Sequence, residues 1–167
     1  ILIALQMQAL KVGAHTTLVF TTVMDELTRG VVDEDEDAEA APTDRNYWEQ
    51  DKGTKDTVAM ADQALEFAQT FDPTLELKYN KFYIGLARNG QPFNFVTFRP
   101  KKAHMTLELK LKQSEEIDAK IDGAGLDTLE YSKRWGLYRI RLGKGEVKNH
   151  AEALRELMGL AYEYRNS

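Results

Sequence analysis

Lys78, Lys81, Tyr83, Arg99, Lys101, Lys102 and His104 fall in one stretch, and Trp135, Arg139 and Arg141 follow in a second strand-like run. Aromatic faces stack on bases, and Lys and Arg neutralise phosphates, so this combination points to contact with DNA or RNA. Arg99-Pro100-Lys101-Lys102 at a tight connection would project several cations together. Two other readings compete with it. The Phe and Tyr side chains are also what a sheet core needs, and the Lys and Arg are also what protects a sheet edge. The same cations would equally receive a protein partner, or the acidic run of this chain.

Other chemistries find less support. His15, His104 and His150 stand far apart with no metal-ligand spacing, so no metal site is expected. Ser114 and Ser132 lie in no nucleophile-elbow context. Gly123-Ala-Gly125 and Gly143-Lys-Gly145 match neither a dinucleotide fingerprint nor a phosphate loop, so no cofactor is expected. Asp25-Glu26 follows a strand-like run but has no second carboxylate and lysine at nuclease spacing. An enzymatic reading would need a pocket where groups such as Tyr83, Arg99 and Tyr138 converge. No catalytic residue is assigned, and the balance points away from an enzyme.

The elements that position these residues centre on residues 78–112. Asn89-Gly90 between alternating apolar residues predicts a hairpin, because a type I′ turn needs positive φ at both central positions. Leu75, Leu77 and Tyr79 alternate with polar residues, as do Phe82, Ile84 and Leu86, and Phe93 and Phe95 continue the pattern. Met105, Leu107, Leu109 and Leu111 give the clearest alternation, with Thr106, Glu108, Lys110 and Lys112 on a solvent-like face. Tyr138, Ile140 and Leu142 alternate with Leu137, Arg139 and Arg141. Helices are predicted over 55–70, capped by Thr54, over 114–121, capped by Ser114, and over 146–164. Tyr47 and Trp48 would anchor a single helical turn. The expected fold is α+β: an antiparallel sheet of four or more strands with the Asn-Gly hairpin, packed against about three helices.

Residues 1–12 read as a helix stopped by Gly13, and His15–Met24 as a strand. Residues 1–32 would then be a helix-strand segment, the remnant of a preceding domain, and the missing initiator Met fits a chain that begins inside a longer protein. Residues 33–44 hold six acids in seven positions and read as an acidic linker. Residues 45–167 form the α+β domain.

The net charge of −5 conceals an asymmetry. Residues 1–77 carry 16 acids and 5 bases, whereas residues 78–112 carry 8 bases and 1 acid. Bulk nucleic-acid binding is therefore disfavoured, but a local basic face is allowed. An apolar content of 43% suffices for a core, and no apolar run reaches the roughly 20 residues of a membrane span. The absence of cysteine excludes disulfides and fits a reducing, cytoplasmic setting.

From about Tyr47 to Tyr162 the order of pieces resembles an uncharacterised bacterial domain family. Some members are described as a predicted transport protein domain, and some are fused to restriction-type nuclease domains. The resembling pieces are YWEQ, KYNKFYIGLARNG, NFVTFRPKK, LELKL, RWGLYRIRL and LMGLAYE. The resemblance implies a compact α+β accessory or binding module, with no catalytic residue to carry over. A nuclease neighbour would make residues 1–24 the end of a nuclease core. The functional expectation is a non-catalytic module of a larger bacterial protein that contacts nucleic acid in DNA processing or restriction. The alternative is a protein-interaction or oligomerisation module with no nucleic-acid role.

Overall fold

A computed structural model describes the backbone of residues 3–12 and 15–25 and all of residues 43–167. The chain divides into two compact units, Ile1–Ala40 and Ala41–Ser167.

In the first unit, β1 (Ile3–Val12) pairs antiparallel with β2 (His15–Asp25), with Val12 opposite His15. This corrects the expected helix over 1–12, and with it the helix-then-strand order that suggested a nuclease tail. Ala, Leu, Gln and Met are good helix formers, but propensity is easily overridden, here by pairing with a Thr- and Val-rich neighbour two residues away. The acidic run 33–39 lies outside the described residues.

The second unit is the expected α+β domain. Its strands are β3 (Leu75–Tyr79), β4 (Ile84–Arg88), β5 (Gln91–Pro92), β6 (Val96–Pro100), β7 (Met105–Lys110), β8 (Asp127–Ser132) and β9 (Leu137–Leu142). They form one antiparallel sheet in the order β3-β4-β6-β7-β9-β8, with β5 paired to β4. The helices are α1 (Arg45–Tyr47), continued by a π-helical turn over Trp48–Lys52, then α2 (Lys55–Ala68), α3 (Glu115–Gly123), α4 (Glu146–Asn149) and α5 (Ala151–Asn166).

Local chemistry accounts for the element boundaries. Thr54 Oγ1 accepts the Thr57 N–H at the start of α2, and Ser114 Oγ accepts the Ile117 N–H at the start of α3. Asn89 and Gly90 adopt φ of 52° and 78°, and Arg88 pairs with Gln91 across them, so the predicted turn is present. The second arm of that hairpin is shorter than expected. After Pro92 the register slips, and β6 meets β4 with Ile84 opposite Phe98. Asn94 Oδ1 accepts the Leu86 N–H at 2.8 Å and fills the gap left in the ladder. The expected single helix over 146–164 is broken at His150, whose φ and ψ of −108° and 25° leave the helical region. The edge strand β8 was not anticipated.

α2 and α5 pack on one face of the sheet, and α3 packs on α5. Leu75, Ile84, Leu86, Phe98, Met105, Leu107, Leu109, Ile140 and Leu142 face those helices and are buried. They meet Val58, Ala61 and Ala64 of α2 and Leu154, Met158 and Ala161 of α5 in one core. Trp48 fills that core too and donates its Nε1–H to the Asn80 carbonyl at 2.9 Å.

Candidate nucleic-acid interface

Because side chains alternate across a strand, the core residues leave every second position on the opposite face. That face carries Glu76 and Lys78 on β3, Thr97 and Arg99 on β6, Thr106, Glu108 and Lys110 on β7, and Arg139 and Arg141 on β9. Tyr83, immediately before β4, joins them. Register sets them in rows. Arg99 lies opposite Thr106, Thr106 opposite Arg141, and Arg141 opposite Asp127. The next row runs Thr97, Glu108, Arg139, Leu129. α2 and α5 occupy the other face, so five of the ten sequence-predicted residues (Lys78, Tyr83, Arg99, Arg139 and Arg141) share the face opposite those helices.

Four cations of this face, Arg99, Lys110, Arg139 and Arg141, are held by named partners. Arg99 Nε donates to Glu108 Oε2 at 2.9 Å, its Nη1 reaches the Phe82 carbonyl at 3.2 Å, and its guanidinium lies 5.9 Å from the Tyr83 ring centre. Glu108 also accepts from Thr97 Oγ1 at 3.1 Å. Arg139 donates to the Glu130 carbonyl through Nε and Nη2, and Arg141 stands 3.5 Å from Asp127. Lys110 Nζ donates to the Trp135 carbonyl.

Thr106 and Glu108 are each only 6% exposed, which corrects their reading as a solvent-like face. β7 is an interior strand, and Thr97 and Arg99 of the neighbouring β6 reach across to Glu108. Glu108 is thereby an anionic centre beneath a cationic surface.

The remaining predicted residues lie at the ends of the sheet. Lys81 sits in the β3–β4 connection with Nζ 5.6 Å from the Phe82 ring centre. Lys101 and Lys102 occupy the β6–β7 turn, where the Lys101 N–H donates to the His104 carbonyl at 2.8 Å. Lys102 turns to the helical side, donating to the carbonyls of Gln50 at 2.7 Å and Gly53 at 2.9 Å, where it caps the π-helical turn. Trp135 lies in the β8–β9 turn, at the opposite end from Lys101 and Lys102, with Arg134 5.0 Å from its ring centre. Phe82, Lys110 and Arg134 escaped the sequence reading as site residues. The alternation around Leu109 did place Lys110 on the polar face, but nothing in the sequence tied the ends of distant strands together.

Tyr138 does not converge with Tyr83 and Arg99, as an enzymatic pocket would need. It points to the helical side, where its hydroxyl donates to Asp118 Oδ1 at 2.8 Å and accepts the Ser114 N–H at 3.0 Å. Burial, with the Asp118 carboxylate beside it, pushes its phenol up to about 12. A cleft of about 400 Å³ opens between the end of α3 and the start of α5, lined in part by Lys120, His150 and Glu156. Lys120 is already engaged there, 2.6 Å from Glu156. Among the described residues no group of three or more His, Asp or Glu could hold a metal ion. Among them, too, no helix is long and apolar enough to cross a membrane.

The sheet edges are partly blunted among the described residues. On β3, Thr43 Oγ1 donates to the Tyr79 carbonyl at 3.2 Å and Gln69 Nε2 to the Leu75 carbonyl at 3.0 Å. On β8 the register shifts between Leu129 and Ser132, and Arg139 takes the Glu130 carbonyl. Among the described residues, the sheet face opposite α2 and α5 and the cleft between α3 and α5 are the surfaces left for a ligand. No protein-family model, no curated protein and no solved structure matches this chain.

Proposed function

We propose that residues 43–167 form a non-catalytic binding module whose open sheet face contacts nucleic acid, as an accessory part of a larger bacterial protein in DNA processing or restriction. The observation that carries this reading is the placement of Lys78, Tyr83, Arg99, Arg139 and Arg141 on the one sheet face that α2 and α5 leave uncovered. Arg and Lys there would meet phosphates, and the aromatic rings at its margin would meet bases. Glu108 and Asp127 orient Arg99 and Arg141, and the Glu130 and Trp135 carbonyls orient Arg139 and Lys110.

The charge balance sets the expected strength. Residues 43–167 hold 20 Lys and Arg against 19 Asp and Glu, a net +1. Binding is therefore local, through about three phosphate contacts, and falls with salt at a log–log slope of about −2 for a single strand. The test is fluorescence anisotropy with short DNA and RNA at two salt concentrations, comparing the natural chain with a Lys78→Ala, Arg141→Ala variant. Salt-sensitive binding that weakens in the variant supports the reading. Absence of binding to every nucleic acid contradicts it and moves the protein-interaction alternative ahead.

A further inference from the structure

We infer that this face takes single-stranded rather than duplex nucleic acid, an inference that rests on the nucleic-acid reading above. Three aromatic rings at the ends of the face each carry a cation over the ring. Lys81 lies 5.6 Å from the Phe82 ring centre, Arg99 lies 5.9 Å from Tyr83, and Arg134 lies 5.0 Å from Trp135. Phe82 is 44% exposed and Trp135 38%, which for residues of this size marks them out in a domain with so few exposed large apolar groups. A ring that stacks on a base beside a cation that meets the adjoining phosphate is the repeating requirement of a single strand. In a duplex the bases are already stacked on one another, and the rings would have nothing to receive.

The two ends of the face fix a path. Phe82 and Tyr83 lie at the end where β6 turns into β7, and Trp135 lies at the end where β8 turns into β9. With Met105 opposite Leu142 and Lys110 opposite Leu137, the strand between these ends is six residues long, roughly 17 Å. Arg141, Arg139 and Lys110 succeed one another along it. The ring-bearing segment at one end is fixed before any ligand arrives, because Arg99 Nη1 donates to the Phe82 carbonyl at 3.2 Å. That spares the ordering cost on binding.

Charge points the same way. A duplex presents a phosphate about every 1.7 Å of its axis and is held by broad cationic surfaces or by an element that enters a groove. Here the cations lie on a sheet, their helices are committed to the core, and exposed Glu76, Asp127 and Glu130 border the face.

The test uses the full chain, with labelled mixed-sequence DNA and RNA single strands of about 12 nucleotides and the corresponding duplexes at equal salt. The expected result is single-strand binding at least about tenfold tighter than duplex binding, weakened about tenfold by either Phe82→Ala or Trp135→Ala. Both residues are exposed, so the variants retain the fold, which circular dichroism verifies. Duplex binding as tight as single-strand binding, or ring variants without effect while Lys78→Ala, Arg141→Ala weakens binding, would overturn this inference and leave the nucleic-acid reading standing. Absence of binding to every probe overturns both.

Discussion

Arg99 Nε sits 2.9 Å from Glu108 Oε2 on a carboxylate side chain that is only 8% exposed, while the arginine itself remains 37% exposed. The pair joins two adjacent strands and serves stability and surface charge together. The carboxylate accepts from Thr97 as well, so Arg99 is its sole charged partner among the described contacts. Replacing the arginine leaves a largely buried carboxylate with one hydroxyl donor.

Arg99→Ala is therefore expected to cost about 2 kcal/mol, a value set below that of a fully buried pair because the guanidinium is partly in water. Adding Glu108→Gln should restore about half of it, since the unpaired charge is then gone. Urea unfolding of the single and double variants measures both. Equal losses in the two would show that the pair contributes nothing beyond packing.

Gly85 and Gly90 make a second comparison. A Cβ on Gly85 would collide with Asn94 Oδ1, the acceptor that fills the Leu86 gap in the ladder. A Cβ on Gly90 meets no atom, but its φ of 78° strains any larger residue. Gly85→Ala should cost about 2 kcal/mol through the displaced hydrogen bond, and Gly90→Ala about 1 kcal/mol through backbone strain. The reverse order in denaturant midpoints would contradict the role given to Asn94.

Lys102 separates structure from binding. Its ammonium caps the π-helical turn through the Gln50 and Gly53 carbonyls. Lys102→Ala should lower stability by about 1 kcal/mol and leave nucleic-acid affinity within about twofold. A loss of affinity as large as that of the Lys78→Ala, Arg141→Ala variant would place Lys102 in the interface instead.

Tyr138 gives a pH signature. Its phenol titrates at about 12 in the fold, against about 10 in an unfolded chain. The folded state thus keeps a proton that the unfolded state releases. This contribution is fully present below about pH 10 and is lost as pH rises toward about 12, by about 2 kcal/mol in all. Denaturation at about pH 9 and about pH 11 should show a steeper loss in the natural protein than in Tyr138→Phe. Equal slopes would mean that other groups carry the alkaline dependence.

Much of the α+β domain was legible because its signals are local. The Met105–Leu111 alternation, the Asn89-Gly90 turn and the Thr54 and Ser114 caps each report a nearby hydrogen bond or a buried face. β8 was not legible, since Asp127–Ser132 is a polar edge strand with little apolar alternation. Neither was the register slip at Asn94, which depends on a side chain standing in for backbone. β1 was misread because most of its residues favour a helix, and pairing with β2 overrides that preference. For the site, the alternation of Leu137, Arg139 and Arg141 put two cations on one face, but the grouping of Arg99, Glu108 and Arg141 depends on strand order. Lys102 shows the converse: its sequence neighbourhood suggested a shared basic tip, and its side chain turns to the helical side.

The proposed binding surface is the sheet face opposite α2 and α5. Titration of the isotopically labelled full chain with a short single-stranded DNA, followed by backbone amide shifts, tests it most directly. Shifts are expected to concentrate at Lys78, Tyr83, Arg99, Thr106, Arg139 and Arg141 and at the Phe82 and Trp135 turns, with α2 and α5 unmoved. Shifts confined to the cleft between α3 and α5, or spread evenly over the surface, would contradict it.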